Sequence, residues 1–306
     1  MVIGQSPGMK CAGAAVPGRK EGEKEMQQEL RKPGVKCEIY RDSMQNYKKY
    51  AIPKAQLIIA DVPYNIGKDM YGSNPMWYAG GDSKNGESRL AGKAAFYSDF
   101  NFNLYEFFHF ASKMLKKEPK ERGKAPCMIV FCSFQQIPTM LSAAGKHGFK
   151  NYIHLTFCKK LSAQALKANM RIAGATEHAL ILYRNKLPKF NNNGKMILDW
   201  MMWERDEHEK YPKIHPTQKP VCLLKKLIEI FTDEGDIVID PCCGSASTLR
   251  AALELGRPSY GFEIDRNFYT RAKTEMLAEN YGEVSMKMED AATGQQNIFD
   301  FPEVMP

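Results

Sequence analysis

The segment from residue 235 to residue 265, GDIVIDPCCGSASTLRAALELGRPSYGFEID, restricts the fold of this chain more than any other. An apolar run ends in Asp240, a turn of small residues follows, and a helical pattern leads to a second apolar run that ends in Glu263. In a Rossmann-like fold, this order places a tight turn and a helix N-terminus beside one ligand. The acid at the end of the next strand can then accept hydrogen bonds from both hydroxyls of a ribose.

The turn between the two predicted strands, PCCGSAS, narrows the kind of ligand. A dinucleotide-binding turn carries three glycines, which let the backbone approach a pyrophosphate, whereas Gly244 is the one glycine present here. A ligand without a pyrophosphate suits such a turn. S-adenosylmethionine is one, with its amino-acid end near the turn and its ribose near Glu263. On these residues alone, an ordinary βα turn without a ligand remains the alternative.

Strand-like and helix-like patterns alternate over most of the remaining chain. The predicted strands cover about residues 36–40, 56–60, 127–132, 151–158, 178–184, 236–240 and 258–264. The predicted helices cover about residues 42–50, 100–117, 134–147, 218–232, 246–255 and 266–280. Such alternation is typical of a mostly parallel sheet with helices on both faces. The predicted fold class is therefore α/β and Rossmann-like.

Composition is that of a globular protein and argues against several other classes. Of the 306 residues, 43% are hydrophobic and 25% are charged, and no apolar run approaches the roughly 20 residues that span a bilayer. The N-terminus lacks an apolar leader, so no signal peptide is expected. None of the eight cysteines forms a C-x-x-C pair, which argues against zinc and favours reduced thiols in a cytoplasmic protein. The net charge of +8 permits a polyanionic partner.

A second short segment, QLIIADVPYNIG at residues 56–67, raises the question of catalysis. It presents Asp61, Pro63 and Tyr64 together at the end of a predicted strand. The segment is either a catalytic edge or a strand end with a proline-containing turn. The tetrapeptide alone does not decide between the two.

Four motifs, taken in chain order, resemble those of the β group of DNA amino-methyltransferases, which are bacterial and phage enzymes. They are DVPYNIG (61–67), ATEHALILYR (175–184), HPTQKP (215–220) and DPCCGSAST (240–248), against the family's DPPYN, A-x-E-x-I/L, HPTQKP and DPFxGSGTT. The resemblance covers roughly residues 36–282. It implies a class I S-adenosylmethionine-dependent methyltransferase fold that is circularly permuted, with the catalytic half first and the cofactor half last.

The resemblance implies roles for two groups of residues. Asp61, Pro63 and Tyr64 match the catalytic motif. The residues that match cofactor-binding positions are Asp42, Asp240, Gly244, Ser245, Glu263, Thr217, Gln218 and Lys219. Residues 217–219 correspond to the segment that helps to hold the methionine carboxylate end. For Asp42, a helix N-cap is as good an interpretation as a contact with the cofactor's adenine.

The chemistry of amine methylation agrees with these assignments. The exocyclic amine of a base is a poor nucleophile because its lone pair is delocalised into the ring. A carboxylate at Asp61 and the carbonyl of Pro63 can accept both amine hydrogens, which localises the lone pair and positions it for attack. Tyr64 offers a face on which the flipped base can stack.

The identity of the acceptor base follows from the first motif position. In the family, aspartate there goes mostly with N6 of adenine and serine with N4 of cytosine, so an adenine-N6 methyltransferase is the first expectation. An N4-cytosine methyltransferase is the alternative within the family. A degenerate DNA-binding protein without turnover is a third hypothesis, because Val62 and Ala246 replace the family's usual residues.

Double-stranded DNA is the expected partner, and three segments are expected to contact it. They are the loop at 65–95, the basic segment at 159–171 and the Trp-containing segment at 185–214. The candidate DNA-binding residues are Lys68, Arg89, Lys93, Lys159, Lys160, Lys167, Arg171, Trp200 and Trp203. For the two tryptophans, packing in a small core is favoured over a wedge into DNA.

The predicted organisation has five parts. A flexible tail (1–33) precedes the catalytic half of the methyltransferase domain (34–184), a target-recognition insertion (185–214) and the cofactor-binding half (215–282). A second tail (283–306) ends the chain. Members of the family are often dimers, so a homodimer is one expectation, and no membrane association is expected.

Overall fold

A computed structural model describes residues 34–64, 102–160, 165–167, 172–206, 210–215 and 217–278. The predictions for the two terminal tails and for the 65–95 loop therefore concern residues outside the described part. The strands are β1 (Cys37–Tyr40), β2 (Leu57–Asp61), β3 (Cys127–Cys132), β4 (Asn151–Cys158), β5 (Ala165–Lys167), β6 (Ile172–Ala173), β7 (Thr176–Tyr183), β8 (Trp200–Met202), β9 (Val238–Asp240) and β10 (Ser259–Phe262). The helices are α1 (Leu104–Met114), α2 (Ile137–Lys146), α3 (Val221–Phe231), α4 (Ser247–Glu254) and α5 (Arg266–Arg271).

Eight of these strands form one sheet in the order β1-β10-β9-β2-β3-β7-β4-β8, while β5 and β6 form a separate two-stranded ribbon. The first five strands in this order are parallel to one another. β7 is antiparallel to both of its neighbours, and the edge strand β8 is parallel to β4. The predicted α/β class with a mostly parallel sheet is confirmed.

Helices cover both faces of the sheet, which explains why β3 (CMIVFC) is apolar at every position and fully buried. Side chains alternate between the faces. Ile59 and Phe131 belong to one buried cluster with Leu227 of α3 and Leu249 of α4. Strand residues whose side chains point to the other face of the sheet, such as Val130, belong to a second cluster with α1 and α2. Among the described helices, none is both long and apolar enough to span a bilayer.

The two halves of the chain meet where β2 pairs with β9. Ile58 lies opposite Ile239, and Leu57 lies opposite Val238. This contact seats the end of the catalytic strand beside the end of the strand that carries the cofactor turn. The permuted chain order therefore still produces a single continuous sheet.

Two predicted helices differ from the observed elements. The predicted helix at 42–50 is a short 3₁₀ turn, Met44–Lys49, in which Met44 is the buried residue. It lacks the apolar stripe that stabilises a longer α-helix through packing. The predicted helix at 266–280 is α5 followed by one π-helical turn, Ala272–Met276.

β8 was not predicted, because three residues are too short to show the alternation of a strand. The segment 185–214 was expected to interrupt the α/β pattern. In the structure, Trp200 lies opposite Thr156 and Met202 lies opposite Cys158. The segment therefore extends the main sheet by one edge strand.

Ala246, the residue before α4, has a left-handed backbone with φ 61° and ψ 26°. This conformation costs a residue with a Cβ roughly 1–2 kcal/mol, whereas glycine adopts it freely. The family's motif has glycine here. Ala246 is also fully buried, so its methyl group contributes packing that partly offsets the strain.

We expect Ala246→Gly to leave the free energy of unfolding within about 0.5 kcal/mol of the wild type. Relief of the strain cancels the roughly 0.8 kcal/mol of a buried methyl group and the 0.5–1 kcal/mol entropic cost of glycine. The control is Ala252→Gly, which loses the same methyl in the middle of α4 without strain relief and should destabilise by about 1.3–1.8 kcal/mol. Urea unfolding measures both variants, and equal losses would contradict the strain at Ala246.

Candidate active site

Acidic side chains lie at the carboxyl ends of four adjacent parallel strands. Asp42 follows β1, Glu263 follows β10, Asp240 ends β9 and Asp61 ends β2. The register keeps these ends level, because Tyr40 lies opposite Phe262 and Gly261 lies opposite Asp240. In open α/β sheets, ligands bind at this edge.

A buried ion cluster surrounds Asp61. The ammonium of Lys219 donates to Asp61 Oδ2 at 2.6 Å and lies 3.7 Å from Glu177 Oε2. Lys159 donates to the other oxygen of Glu177 at 2.5 Å. Lys219 is 6% exposed, so its charge is held inside the protein by these two carboxylates. Two acids and two lysines thus balance one another at the strand ends.

Aromatic rings enclose the buried ammonium of Lys219. It lies 5.7 Å from the ring centroid of Tyr64, 5.2 Å from that of Phe131 and 5.8 Å from that of Trp203. At such distances the faces of aromatic rings attract a cation. The hydroxyl of Tyr64 donates to Glu177 Oε2 at 2.8 Å, which fixes the ring beside the ion cluster.

The ionisation of the cluster follows from burial and neighbouring charges. Burial opposes the charge of Glu177, but Lys219 and Lys159 outweigh it and lower the pKa of Glu177 to about 2. Burial also raises the pKa of Asp61, and the ammonium of Lys219 opposes that shift. The pKa of Lys219 is raised by Asp61 and Glu177 against the effect of burial. Lys219 is therefore the neighbour that most favours the ionised form of Asp61.

Two hydrogen-bonding features of the strand ends bear on substrate binding. Among the described residues, Asp61 Oδ1 and Ser133 Oγ are the buried side-chain oxygens without a hydrogen-bond partner. Leaving a buried acceptor unpaired is costly, and such atoms often mark a ligand position. The carbonyl of Pro63 accepts a hydrogen bond from Gln136 Nε2 at 2.9 Å.

The departure from DPPY at Val62 leaves these contacts unaltered. The side chain of Val62 is buried among the residues that pack against α1 and α2. It points away from Asp61 because successive side chains of a strand alternate between the two faces. The groups expected to accept the hydrogens of the amine belong to Asp61 and Pro63 instead.

The turn after β9 has the properties expected of a cofactor turn. Gly244 adopts a left-handed φ of 49°, and the N–H of Cys242 donates to Asp240 Oδ1 at 3.0 Å. Burial raises the pKa of Asp240 to about 7 despite hydrogen bonds from Thr248 and the Cys242 amide. Ser245 is buried in the same turn.

Glu263 lies one residue after β10, with its N–H bonded to the carbonyl of Tyr40. Its carboxylate accepts from the N–H of Asp265 at 2.7 Å. Burial raises its pKa to about 7, although the backbone amides of Asp265 and Gly244 favour the charged form. A partly buried carboxylate with remaining acceptor capacity beside a glycine turn fits the ribose hydroxyls and amino-acid end of S-adenosylmethionine.

Gln218 and Thr217 of the HPTQKP segment bond to residues close to them in the chain. Gln218 Oε1 accepts from the N–H of Ile214 at 3.0 Å, and its Nε2 donates to the carbonyl of Pro212 at 2.9 Å. Thr217 contacts His215 Nδ1 through its hydroxyl at 2.9 Å. Burial and the charge of Lys219 lower the pKa of His215 to about 4, so its ring is neutral. The resemblance implies that residues 217–219 help to hold the methionine carboxylate, and in the structure the ammonium of Lys219 contacts Asp61.

Asp42 has protein donors around both of its carboxylate oxygens. Oδ1 accepts from the Ser43 N–H at 2.8 Å and from Asn46 Nδ2 at 2.6 Å, and Oδ2 accepts from the Tyr50 hydroxyl at 2.9 Å. The hydrogen bonds from Asn46 and Tyr50 lower its pKa to about 2. Asp42 thus organises the turn after β1, whose N-cap is its neighbour Ser43.

The candidate DNA-binding residues occupy different environments. Lys159 belongs to the ion cluster, and its ammonium lies 5.0 Å from the ring centroid of Trp203. Trp203 packs edge-on against Phe157, whereas Trp200 is 47% exposed on β8 and Lys160 is exposed after β4. Lys167 lies in β5. Outside the described residues are Lys68, Arg89, Lys93 and Arg171.

Sequence reasoning did not select Glu177 or Gln136 as site residues. Glu177 lies in the ATEHALILYR motif, so the motif match was a signal for it. Gln136 follows β3 in a stretch without a motif, and its contact with Pro63 depends on the pairing of β2 with β3. No group of three or more metal-ligating side chains occurs among the described residues.

The mostly parallel sheet, with a glycine turn and an acid at adjacent strand ends, has the fold of the class I methyltransferases. The chain belongs to the N6/N4 DNA methylase family, whose model matches residues 55–274. It is therefore a DNA methyltransferase, and S-adenosylmethionine, the predicted cofactor, is the methyl donor of that family.

Individual relatives agree with this assignment. DNA adenine methyltransferase YhdJ of Escherichia coli (strain K12) is 28% identical over 76% of this chain and 80% of its own length. The solved M1.HpyAVI–SAM complex has a TM-score of 0.53 at 22% identity, over 77% of this chain and 98% of that chain. The cytosine-N4-specific PvuII DNA methyltransferase has a TM-score of 0.56 at 14% identity, over 86% of this chain and 97% of that chain. The two structures support the fold.

We expect Lys219→Met to lower the free energy of unfolding by about 3–5 kcal/mol at pH 8, because it leaves the largely buried carboxylate of Asp61 without its counter-ion, while Glu177 keeps Lys159. Without Lys219, the pKa of Asp61 rises further in the folded state. Such a shift costs stability above the ordinary pKa near 4, so the loss grows as the pH rises and is smaller at pH 5. Urea unfolding at both pH values measures it.

The control for this prediction is Lys226→Met, which removes an exposed lysine paired with the exposed Glu204. An exposed ion pair contributes less than about 1 kcal/mol, with little dependence on pH in this range. If Lys219→Met and Lys226→Met cost the same at pH 8, then Lys219 does not neutralise the buried carboxylates.

Proposed function

We propose that the protein transfers a methyl group from S-adenosylmethionine to N6 of an adenine flipped out of double-stranded DNA. The observation that carries this proposal is the unpaired, buried Asp61 Oδ1 at the end of β2, beside the cofactor turn after β9. A flipped amine placed there gives this oxygen the hydrogen bond that it lacks. The other oxygen of the carboxylate remains bonded to Lys219.

Asp61 and Pro63 together accept both hydrogens of the amine. Asp61 Oδ1 takes one, and the carbonyl of Pro63 takes the other on the lone pair that Gln136 leaves open. With both hydrogens bound, the nitrogen lone pair is drawn out of conjugation and directed at the donor. Positioning and electrostatics therefore account for the catalysis. The new N–C bond would replace the S–C bond of the donor, and the surplus proton of the amine could then pass to Asp61 Oδ1 and on to solvent.

Lys219 and Glu177 position these groups and do not contact the acceptor base. Lys219 holds Asp61 ionised and fixes its Oδ2, so that Oδ1 has one direction available. Glu177 accepts from the hydroxyl of Tyr64 and thereby holds the ring against which the flipped base stacks. Stacking and the amine hydrogen bonds offset the few kcal/mol that base flipping costs.

The cofactor supplies an electrophilic methyl group when it is bound. Glu263 accepts hydrogen bonds from its ribose hydroxyls, and the turn from Asp240 to Ser245 receives its amino-acid end. Asp61 and Asp240 come from paired strands, so the amine acceptor and the cofactor turn are neighbours. The contact at Asp61 makes Lys219 a positioning residue in this proposal and not a ligand of the methionine carboxylate.

Adenine is favoured over cytosine by two observations. The first motif position is Asp61, and the relative from E. coli is named a DNA adenine methyltransferase. The amine acceptors themselves suit either base. Lys160 and Trp200 are exposed and remain candidates for DNA contact. A homodimer and a cytoplasmic location also remain predictions.

The test incubates the protein with methyl-labelled S-adenosylmethionine and unmethylated DNA, followed by digestion to nucleosides. We expect the label in N6-methyldeoxyadenosine. Asp61→Ala should reduce transfer by at least about 10³-fold while the cofactor dissociation constant changes less than threefold, because the carboxylate contacts the base. Label in N4-methylcytosine supports the cytosine alternative, and DNA binding without transfer supports a degenerate protein. Undiminished turnover of Asp61→Ala refutes its assignment.

The raised pKa of Glu263 predicts that cofactor binding depends on pH. The ionised carboxylate is the form that accepts both ribose hydroxyls, and its pKa is about 7 before binding. The dissociation constant should therefore fall by about tenfold from pH 6 to pH 8, with a proton released on binding. Calorimetry in two buffers measures both quantities.

The variant Glu263→Gln is the control for this pH dependence. It should weaken binding at pH 8 and remove the part of the pH dependence that this carboxyl causes. An unchanged dissociation constant in Glu263→Gln would exclude a contact with the ribose.

A further inference from the structure

Gln136 lies beside the catalytic edge although no motif contains it. β2 and β3 are parallel, and Asp61 lies opposite Phe131. Two residues further along each chain, Pro63 and Ser133 therefore emerge side by side. Ser133 begins the 3₁₀ turn Phe134–Gln136, which leads into α2 and brings Gln136 back towards Pro63.

The amide of Gln136 is held at both ends. Its Oε1 accepts from the backbone N–H of Ser133 at 3.1 Å, and its Nε2 donates to the carbonyl of Pro63 at 2.9 Å. A backbone N–H is always a donor, so the oxygen of the amide must face Ser133 and the nitrogen must face Pro63. The side chain is 9% exposed, so water does not compete freely for these bonds.

We propose that Gln136 is a positioning residue for methyl transfer. Its side-chain amide fixes the direction of the Pro63 carbonyl. The inference rests on the proposed function, in which that carbonyl accepts one hydrogen of the amine. Proline restricts its own φ, but rotation about its ψ still turns the carbonyl. Gln136 occupies one lone pair of the oxygen and thereby fixes the direction of the other.

The direction of this lone pair matters because hydrogen bonds weaken steeply as their angle departs from linearity. If the carbonyl rotates, one amine hydrogen is lost from its acceptor, and the nitrogen lone pair returns towards conjugation with the ring. Substrate binding has other contributions, including stacking on Tyr64. The loss should therefore appear in kcat much more than in KM.

The test compares Gln136→Glu with Gln135→Glu. Both variants introduce the same charge, and Gln135 is the exposed neighbour in the same turn. The introduced carboxylate at 136 cannot donate to the carbonyl of Pro63 and repels it, whereas its protonated form can donate. At each pH, the kcat of Gln136→Glu is divided by the kcat of Gln135→Glu. The ratio is free of the pH dependence that both variants share, including any that Asp61 and Lys219 cause.

We expect kcat of Gln136→Glu at pH 8 to be at least about tenfold below that of Gln135→Glu, the effect of one misdirected hydrogen bond. KM for DNA should change less than about threefold. The ratio of the two kcat values should recover as the pH is lowered from 8 to 6, since the introduced carboxyl regains a proton. Because a buried carboxylate also destabilises the fold more at pH 8 than at pH 6, the folded fraction of each variant is measured by circular dichroism at every pH and kcat is expressed per folded molecule. A residue that only supports folding would lower the folded fraction and leave kcat per folded molecule unchanged.

A second variant, Gln136→Met, guards against misfolding by the introduced charge. It keeps the length of the side chain and removes the donor, so kcat should be reduced by a similar factor at every pH. If both variants at 136 match the control in kcat while the wild type transfers methyl groups, Gln136 does not position the carbonyl. A wild-type protein that transfers no methyl group overturns the proposed function and this inference with it.

Discussion

The parallel contact between β2 and β9 is the constraint on which the rest of the site depends. Asp61 and Asp240 are far apart in the chain, yet their strands are neighbours because Ile58 pairs with Ile239. The pairing is possible because helices cover both faces of the sheet, so apolar strands can lie side by side. In the proposed function, a methyl acceptor held at one strand end would thus face a methyl donor held at the next.

The ion cluster around Lys219 is better explained by function than by stability. Burying charges costs several kcal/mol for each ion, and the attraction within the pair often does no more than offset that cost. Apolar residues of similar size would have stabilised the fold as well or better. What the cluster provides is an Asp61 carboxyl with one oxygen bonded to Lys219 and the other without a hydrogen-bond partner. The rings of Tyr64, Phe131 and Trp203 lower the cost of keeping the ammonium buried.

The parts of the site that were predictable are those at which a strand ends in a motif. Hydrophobic patterns locate the strand ends, so Asp61 and Glu263 could be assigned to one edge of a sheet before its structure was known. Gln136 and the pairing of Lys219 with Asp61 depend on strand register and on the path of the HPTQKP loop, which local patterns do not encode. β8 was missed for a related reason, because its three residues are defined by their partner strand.

The contact between Lys219 and Asp61 spans 158 residues of the chain. During synthesis, the strand that bears Asp61 leaves the ribosome long before its counter-ion has been made. Until then, burying that carboxylate would leave a charge without compensation, and β2 also lacks its neighbour β9. The first half of the chain therefore cannot form the complete carboxyl edge of the sheet alone. Pairing of β2 with β9 and assembly of the site are then one cooperative step late in folding.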